Sequence, residues 1–338
     1  MIVSWLTTNQ CNLNCKHCYQ DAGSTKADEL STREAEKMIG EIAEAGFKIM
    51  IFSGGEPLMR PDIYHLVSHA VKAGLRPVFG TNGTLLTKEV VGKLKDCGAA
   101  AMGISLDSLN EEKHNEFRGN PNAFRLTMQG IENCKKAGLP FQIHTTILDW
   151  NQNEVDDILE FGVSSGAIAN YLFFLIPVGR GKFLEDTSLE VMEYETLLHT
   201  IMEKQKKIPI DIKPTCAPQF IRVAEESGVS IRFKQGCLAG LSYCVITPEG
   251  IVRPCAYMTE AAGDVRLHSF HKIWTDSPVF EKLRSRKYKG SCSVCTYKER
   301  CGGCRARAAY YHEGDYMAED SYCAYGNQLI REESRYES

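Results

Sequence analysis

Fourteen cysteines in 338 residues restrict this chain more than any other feature, because most of them gather at its two ends. Cys11, Cys15 and Cys18 sit near the N-terminus, and eight more lie between Cys237 and Cys323. A disulfide framework would be spread more evenly and would require export, yet Met1-Ile2-Val3-Ser4-Trp5 lacks the basic-then-apolar start of a signal peptide. Clustered thiols in a reducing compartment point to metal sites, so the expectation is a cytoplasmic metalloprotein. Hydrophobic residues make up 43% of the chain and charged residues 24%, enough for a packed core. A net charge of −4 gives no electrostatic case for nucleic-acid binding. No apolar run approaches the ~20 residues that a membrane span needs.

Between the cysteine groups, short apolar runs alternate with amphipathic segments. The runs at 48–52, 76–79, 100–104, 142–147 and 171–176 read as strands, with further short strands at 3–6 and 208–212. Ser31 or Thr32 caps a helix carrying Ala35, Met38, Ile39, Ile42 and Ala43 at helical spacing. Gly46, Gly74, Gly98, Gly138 and Gly166 fall where such helices should stop. Strand, helix, glycine, strand, repeated about six times, predicts an α/β fold whose parallel sheet closes as a complete or partial βα barrel. Its chemistry belongs at the C-terminal strand ends. Past residue 205 the pattern fades. The chain divides into 1–205, a connector over 206–235 and a Cys-rich region over 236–338, which is poor in core residues and must lean on its metal.

Cys11-x3-Cys15-x2-Cys18 follows the first strand. Three thiolates on one tight loop suit a four-iron cluster and leave one iron without a protein ligand. Structural zinc would want four ligands. This motif resembles the signature of the radical SAM superfamily, with His17 before the last cysteine. The resemblance implies a partial (β/α)6 TIM-like barrel and a 4Fe–4S cluster whose open iron chelates S-adenosylmethionine (SAM). One electron then releases a 5′-deoxyadenosyl radical. It also implies that Gly54, Gly55 and Glu56, in Ser53-Gly54-Gly55-Glu56-Pro57, receive the methionine ammonium. Asn82, Ser105 and Asp107 would lie near the ribose or methionyl group, and Arg118 would pair with the SAM carboxylate or stand solvated. Thr145 and Phe174–Ile176 read as an adenine wall or as packed strands.

Cys237-x12-Gly250-x4-Cys255, then Cys292-x2-Cys295-x5-Cys301-x2-Cys304, then Cys323, resembles the SPASM extension of that superfamily, except that the last spacing of the middle group is x2 where the family has x3. The resemblance implies two auxiliary 4Fe–4S clusters, one on Cys237, Cys244, Cys255 and Cys304, the other on Cys292, Cys295, Cys301 and Cys323. With the SAM cluster that makes three. A zinc ribbon over Cys292–Cys304 would leave the flanking cysteines without a role. Cys97 and Cys134 read as core. Cys216 lies on the connector, facing substrate or merely structural.

Four further stretches resemble the heme-pathway members, the alternative heme b synthases and the NirJ-type enzymes of heme d1 synthesis. They are Phe173–Gly181, Lys213–Phe220, Gly236–Gly240 and Cys301–Arg307. That implies a tetrapyrrole substrate whose propionates are decarboxylated or removed, and a low-potential donor such as ferredoxin or flavodoxin. Arg180, Lys182, Lys213, Arg222, Arg232 and Lys234 are the cations available to its carboxylates. Two other readings stay open: a SPASM maturase crosslinking a ribosomal peptide, and a non-catalytic iron–sulfur electron carrier. The carrier has no need of the Ser53–Pro57 loop or of an open iron.

Overall fold

Ser31 begins the first helix by accepting a hydrogen bond from the Glu34 N–H, while the Glu34 carboxylate reaches back to the Ser31 N–H. The apolar stripe Ala35, Met38, Ile39 and Ile42 of this helix, α1 (Thr32–Glu44), is thereby laid on the sheet. The five glycines expected to end helices all have positive φ, which only glycine adopts without a Cβ penalty. The computed structural model describes residues 1–24 and 28–326, so the last twelve residues of the expected 236–338 region lie outside the described residues.

Seven parallel strands follow in chain order: β1 (Ile2–Leu6), β2 (Ile49–Ser53), β3 (Arg76–Thr81), β4 (Ala101–Ser105), β5 (Phe141–Ile147), β6 (Ala169–Phe174) and β7 (Asp211–Thr215). The first six match the apolar runs closely. Their helix-side residues, among them Trp5, Phe52, Phe79, Met102 and Ile143, form the larger core with the helices between strands. A second core joins Leu172, Phe174, Tyr194, Leu198, Ile212 and Phe220 around β6 and β7.

The short strand expected at 208–212 lies three residues further on, as β7, and pairs with β6 through Leu172↔Pro214. Pro214 lacks an N–H, and β7 stands at the edge of the sheet, where the missing donor breaks no ladder. The Cys-rich region supplies β8 (Tyr243–Ile246), which pairs in parallel with β1 through Val3↔Cys244, followed by antiparallel β9 (Ile251–Arg253) and β10 (Gly263–Asp264). One ten-stranded sheet, β10-β9-β8-β1-β2-β3-β4-β5-β6-β7, therefore runs through both regions. Because β1–β8 are parallel, their C-terminal ends open on one side of the molecule.

Candidate iron–sulfur and cofactor site

The Cys11 loop leaves the C-terminal end of β1 and is pinned from several directions. Cys11 N–H donates to Gly23 O (3.0 Å), Lys16 N–H to Phe117 O (3.0 Å), and Arg180 N–H to Cys18 O (2.9 Å). The Arg180 guanidinium donates to Cys15 O (2.9 Å), Ala22 O (2.9 Å) and the Asp21 carboxylate (2.9 Å). Cys11, Cys15 and Cys18 pack together against Leu13 and Ala123. His17 stacks on Phe117 at 4.2 Å, and burial pulls its imidazole down to about 3, so it is neutral. Burial pushes the Cys11 thiol up to about 11, with Glu56, Cys15 and Cys18 adding to the rise. Cys15 is raised by burial as well, and Arg118 opposes the rise. Crowded thiols such as Cys11 and Cys15, whose ionised form burial disfavours, suit a cationic centre that takes their charge.

The glycine loop after β2 serves this arrangement by close approach. Gly55 N–H donates to Thr8 O and Glu56 N–H to Gln10 O, both at 2.8 Å, so the loop is zipped to the residues that lead into Cys11. A Cβ on Gly55 would stand 2.3 Å from Gln10 O, which no side chain tolerates. The Glu56 carboxylate is fully buried and accepts from Thr81 Oγ1 (2.8 and 2.9 Å), Asn82 N–H (2.9 Å) and Leu58 N–H (3.2 Å). Burial pushes it up to about 7 against those bonds. Within the protein, its two oxygens hold the end of β3, Asn82 after it and the loop in place. Asn82 in turn donates to Asn12 Oδ1 (2.9 Å), again tying β3 to the cysteine loop.

After β4, Ser105 is half-buried and registers with His144. Asp107 is fully buried. It accepts from Arg118 Nε at 2.6 Å and from Thr146 N–H at 3.0 Å. Burial alone would raise its carboxyl, and the Arg118 guanidinium holds it below the usual range. Arg118, itself buried, lies with Nη1 3.8 Å from Cys15 Sγ. Its burial excludes the solvated alternative and links it to Asp107 and Cys15, since a buried guanidinium needs anionic partners. Thr145 donates to Leu106 O (2.7 Å), Phe174 packs on Tyr194, and Ile176 lies in a core cluster, so these residues are core.

The sheet face opposite the main helices carries His144, Thr146, Tyr171, Phe173, Lys213 and Thr215, all half-buried. His144 stacks on Tyr171 (5.2 Å) and lies over Gly103, where a Cβ would come within 2.3 Å of the ring. Burial pulls it down to about 4. Of the six cations expected to meet carboxylates, three are already paired within the protein: Arg180 with Asp21, Arg222 with Glu195 and Glu226, Arg232 with Asp211. Lys213 has no carboxylate partner among the described residues and sits over the Phe233 (4.6 Å) and Tyr171 (5.5 Å) rings.

In the C-terminal region, Cys292, Cys295, Cys301 and Cys323 line one small cavity with Asp320, Lys298 and Gly303. Among the described residues no three His, Cys, Asp or Glu side chains close tightly enough on one point to hold a single ion. These four cysteines surround a space instead, as a cubane cluster requires. The other expected quartet does not assemble. Cys304, Cys237 and Cys255 are mutual neighbours, but Cys244 lies within β8, fully buried in the main core, with Arg284 as its charged neighbour. Period-two burial along a strand covered on both faces sends its side chain into the helix layer. Cys216, read from the sequence as facing substrate or structural, neighbours Cys304 and Cys255. The readable signal was its place, directly after Lys213-Pro214-Thr215, at a C-terminal strand end.

Comparison with known proteins adds to this geometry. The profile of the radical SAM superfamily matches residues 5–162, and that of an iron–sulfur cluster-binding domain, SPASM, matches residues 237–304. The AdoMet-dependent heme synthase of Methanosarcina barkeri is 43% identical, over 96% of this chain and 96% of that protein. The Fe-coproporphyrin III synthase of the same organism is 30% identical, over 99% of this chain and 89% of its own length. In fold, the chain is similar to Streptococcus suis SuiB bound to its precursor peptide SuiA, with a TM-score of 0.78 at 17% identity, covering 96% of this chain and 75% of that one.

Proposed function

The chain belongs to the radical SAM superfamily, and from that premise we propose that it converts propionate side chains of iron coproporphyrin III to vinyl groups, yielding heme b. The observation that carries the reading is 43% identity to a heme synthase along almost the whole of both chains. The inner face supports it. His144, Tyr171, Phe173 and Phe233 offer flat apolar surface to a macrocycle, and Lys213 stands among them as a cation without a carboxylate partner among the described residues.

The residues fit three 4Fe–4S clusters, one on Cys11, Cys15 and Cys18 and two in the C-terminal region. When bound, the first supplies the electron that releases the 5′-deoxyadenosyl radical from SAM. This chain's residues do the rest. Gly54 and Gly55 press the second loop onto the first, and Glu56 and Asn82 lock that contact from β3. Asp107 holds Arg118 against Cys15, fixing the loop and placing positive charge beside a thiolate ligand. Ser105, at the mouth of β4, is left to meet the nucleoside. Lys213 grips a propionate, and its aromatic walls exclude water from the reacting carbon. Residues 1–205 with β7 form the catalytic barrel, and cysteines of the region from 236 would hold the auxiliary clusters, which would supply an acceptor for the electron that decarboxylation leaves. A ferredoxin or flavodoxin supplies reducing equivalents in an anaerobic cytoplasm. No helix among the described residues is long and apolar enough to cross a membrane.

The test is anaerobic incubation of the reconstituted protein with SAM, a strong reductant and iron coproporphyrin III, followed by mass spectrometry. Stepwise loss of two carboxyl groups alongside 5′-deoxyadenosine is expected, and none of either from the Cys11/Cys15/Cys18→Ala variant. Deoxyadenosine with an unchanged porphyrin would overturn the substrate and direct the search to NirJ-type tetrapyrroles and peptides. SAM cleavage by the triple variant would overturn the cluster assignment.

A further inference from the structure

The auxiliary site around Cys304 lacks one thiol if Cys244 is left out, and the chain supplies it from outside the SPASM spacing. Cys216 follows β7 directly, with a positive φ of 59°, a conformation that costs a non-glycine residue energy and persists only where the surroundings enforce it. The enforcement is visible. Arg307, fully buried, donates to Cys216 O at 2.8 Å. The same guanidinium is paired with Asp320 at 3.3 Å, and Asp320 accepts the Cys304 N–H at 2.6 Å. A single buried ion pair thus clamps the backbones of Cys216 and Cys304 from its two ends. Gln219 donates to Asp320 at 2.7 Å and adds a second tie to the Cys216 turn. On the other side, Gly236 lets that turn approach Cys237: a Cβ there would stand 2.6 Å from both Pro218 Cβ and Cys301 O. Cys255 and Cys216 pack into the same small core cluster as Cys304.

We infer that Cys216, and not Cys244, is the fourth ligand of the auxiliary 4Fe–4S cluster held by Cys237, Cys255 and Cys304. This rests on the reading that the C-terminal region holds two clusters, and it adds a property that reading lacks. The cluster is fastened to the barrel itself, at the end of the strand that carries Lys213, three residues upstream.

The experiment uses full-length protein with Cys11, Cys15 and Cys18 changed to Ala, so that only auxiliary clusters contribute. It is reconstituted anaerobically, assayed for iron and sulfide, and examined by EPR after dithionite reduction. On that background, Cys244→Ala is expected to keep about eight irons per chain, the content of two cubanes, and an unaltered spectrum. Cys216→Ala is expected to lower the iron content and to change one of the two signals. Cys216→Ser, which retains a ligating oxygen, should keep the iron while shifting that signal, a signature that a merely structural cysteine would not give. Identical iron and spectra in the Cys216 variants, or loss of a signal with Cys244→Ala, would overturn the assignment. A background protein that takes up no iron would instead overturn the two-cluster reading on which it rests.

Discussion

The Asp107–Arg118 pair gives the sharpest test of how the first site is built. Arg118 is 6% exposed and Asp107 0%, and their contact is 2.6 Å. Replacing Arg118 with Met keeps the apolar stem and leaves the Asp107 charge buried with only the Thr146 N–H and the neutral His114 nearby. Breaking one side of such a pair costs about 3–5 kcal/mol. With a urea slope of about 3 kcal/mol per M for a chain of this size, the midpoint should fall by roughly 1–1.7 M. The double variant Arg118→Met/Asp107→Asn removes both charges, and Asn retains an oxygen for the Thr146 N–H. It should recover most of the loss, with a coupling of about 2 kcal/mol or more. Anaerobic urea titrations of the four proteins, followed by far-UV circular dichroism, read the cycle. A double variant as unstable as the sum of the singles would refute the reasoning, as would an Arg118→Met midpoint within about 0.3 M of the parent, since about 1 kcal/mol is too little for a buried charge left alone.

Other consequences follow from named contacts. Glu56 titrates near 7 in the folded chain against 4.5 ordinarily, so between those values the folded state binds the extra proton. Stability should therefore fall by on the order of 3 kcal/mol as pH rises from about 4.5 to 7 and change no further above it. Glu56→Gln should flatten that dependence, and equal slopes in urea titrations of the two proteins would contradict it. Lys213→Met should raise KM for iron coproporphyrin III by roughly 10- to 100-fold, the worth of a charged hydrogen bond, with kcat less affected. Lys213→Arg should restore part of it, and an unchanged KM would remove Lys213 from the substrate site. Gly55→Ala forces the second loop off Gln10 and should cost about 1–3 kcal/mol. Less iron at the first site after reconstitution and slower deoxyadenosine release are the readouts, and a variant with neither would show that the loop tolerates the extra atom.

The strands and the first cysteine loop were legible because their signals are local: apolar runs of strand length, caps, stop glycines and ligands within eight residues. What was missed depends on partners far along the chain. Nothing near Glu56 in sequence says that Thr81 and Asn82 will hold its oxygens, and nothing near Arg118 says that it will be buried against Asp107 and Cys15. Cys244 falls between Cys237 and Cys255 and satisfies a count, while its burial in β8 is decided by pairing with β1. Cys216 lies outside the motif altogether. Its assembly with Cys304 is set by Arg307 and Asp320, about ninety residues away. Arg180, Arg222 and Arg232 dropped out of the six candidate cations only once their carboxylate partners were visible.

The pairing of β8 with β1 ties the order of synthesis to the risk of misassembly. β1 leaves the ribosome before the other strands of this sheet, and it is flanked on one side by β2 and on the other by a strand some 240 residues later. Until Tyr243–Ile246 arrives, Val3 and Trp5 stand beside an open ladder of backbone donors and acceptors, the kind of edge that recruits strands from other chains. A fragment ending before residue 236 would carry that edge permanently. The cysteine-rich region therefore covers the β1 edge of the sheet as well as offering cluster ligands, and expression of the first 235 residues alone should give aggregate rather than soluble protein.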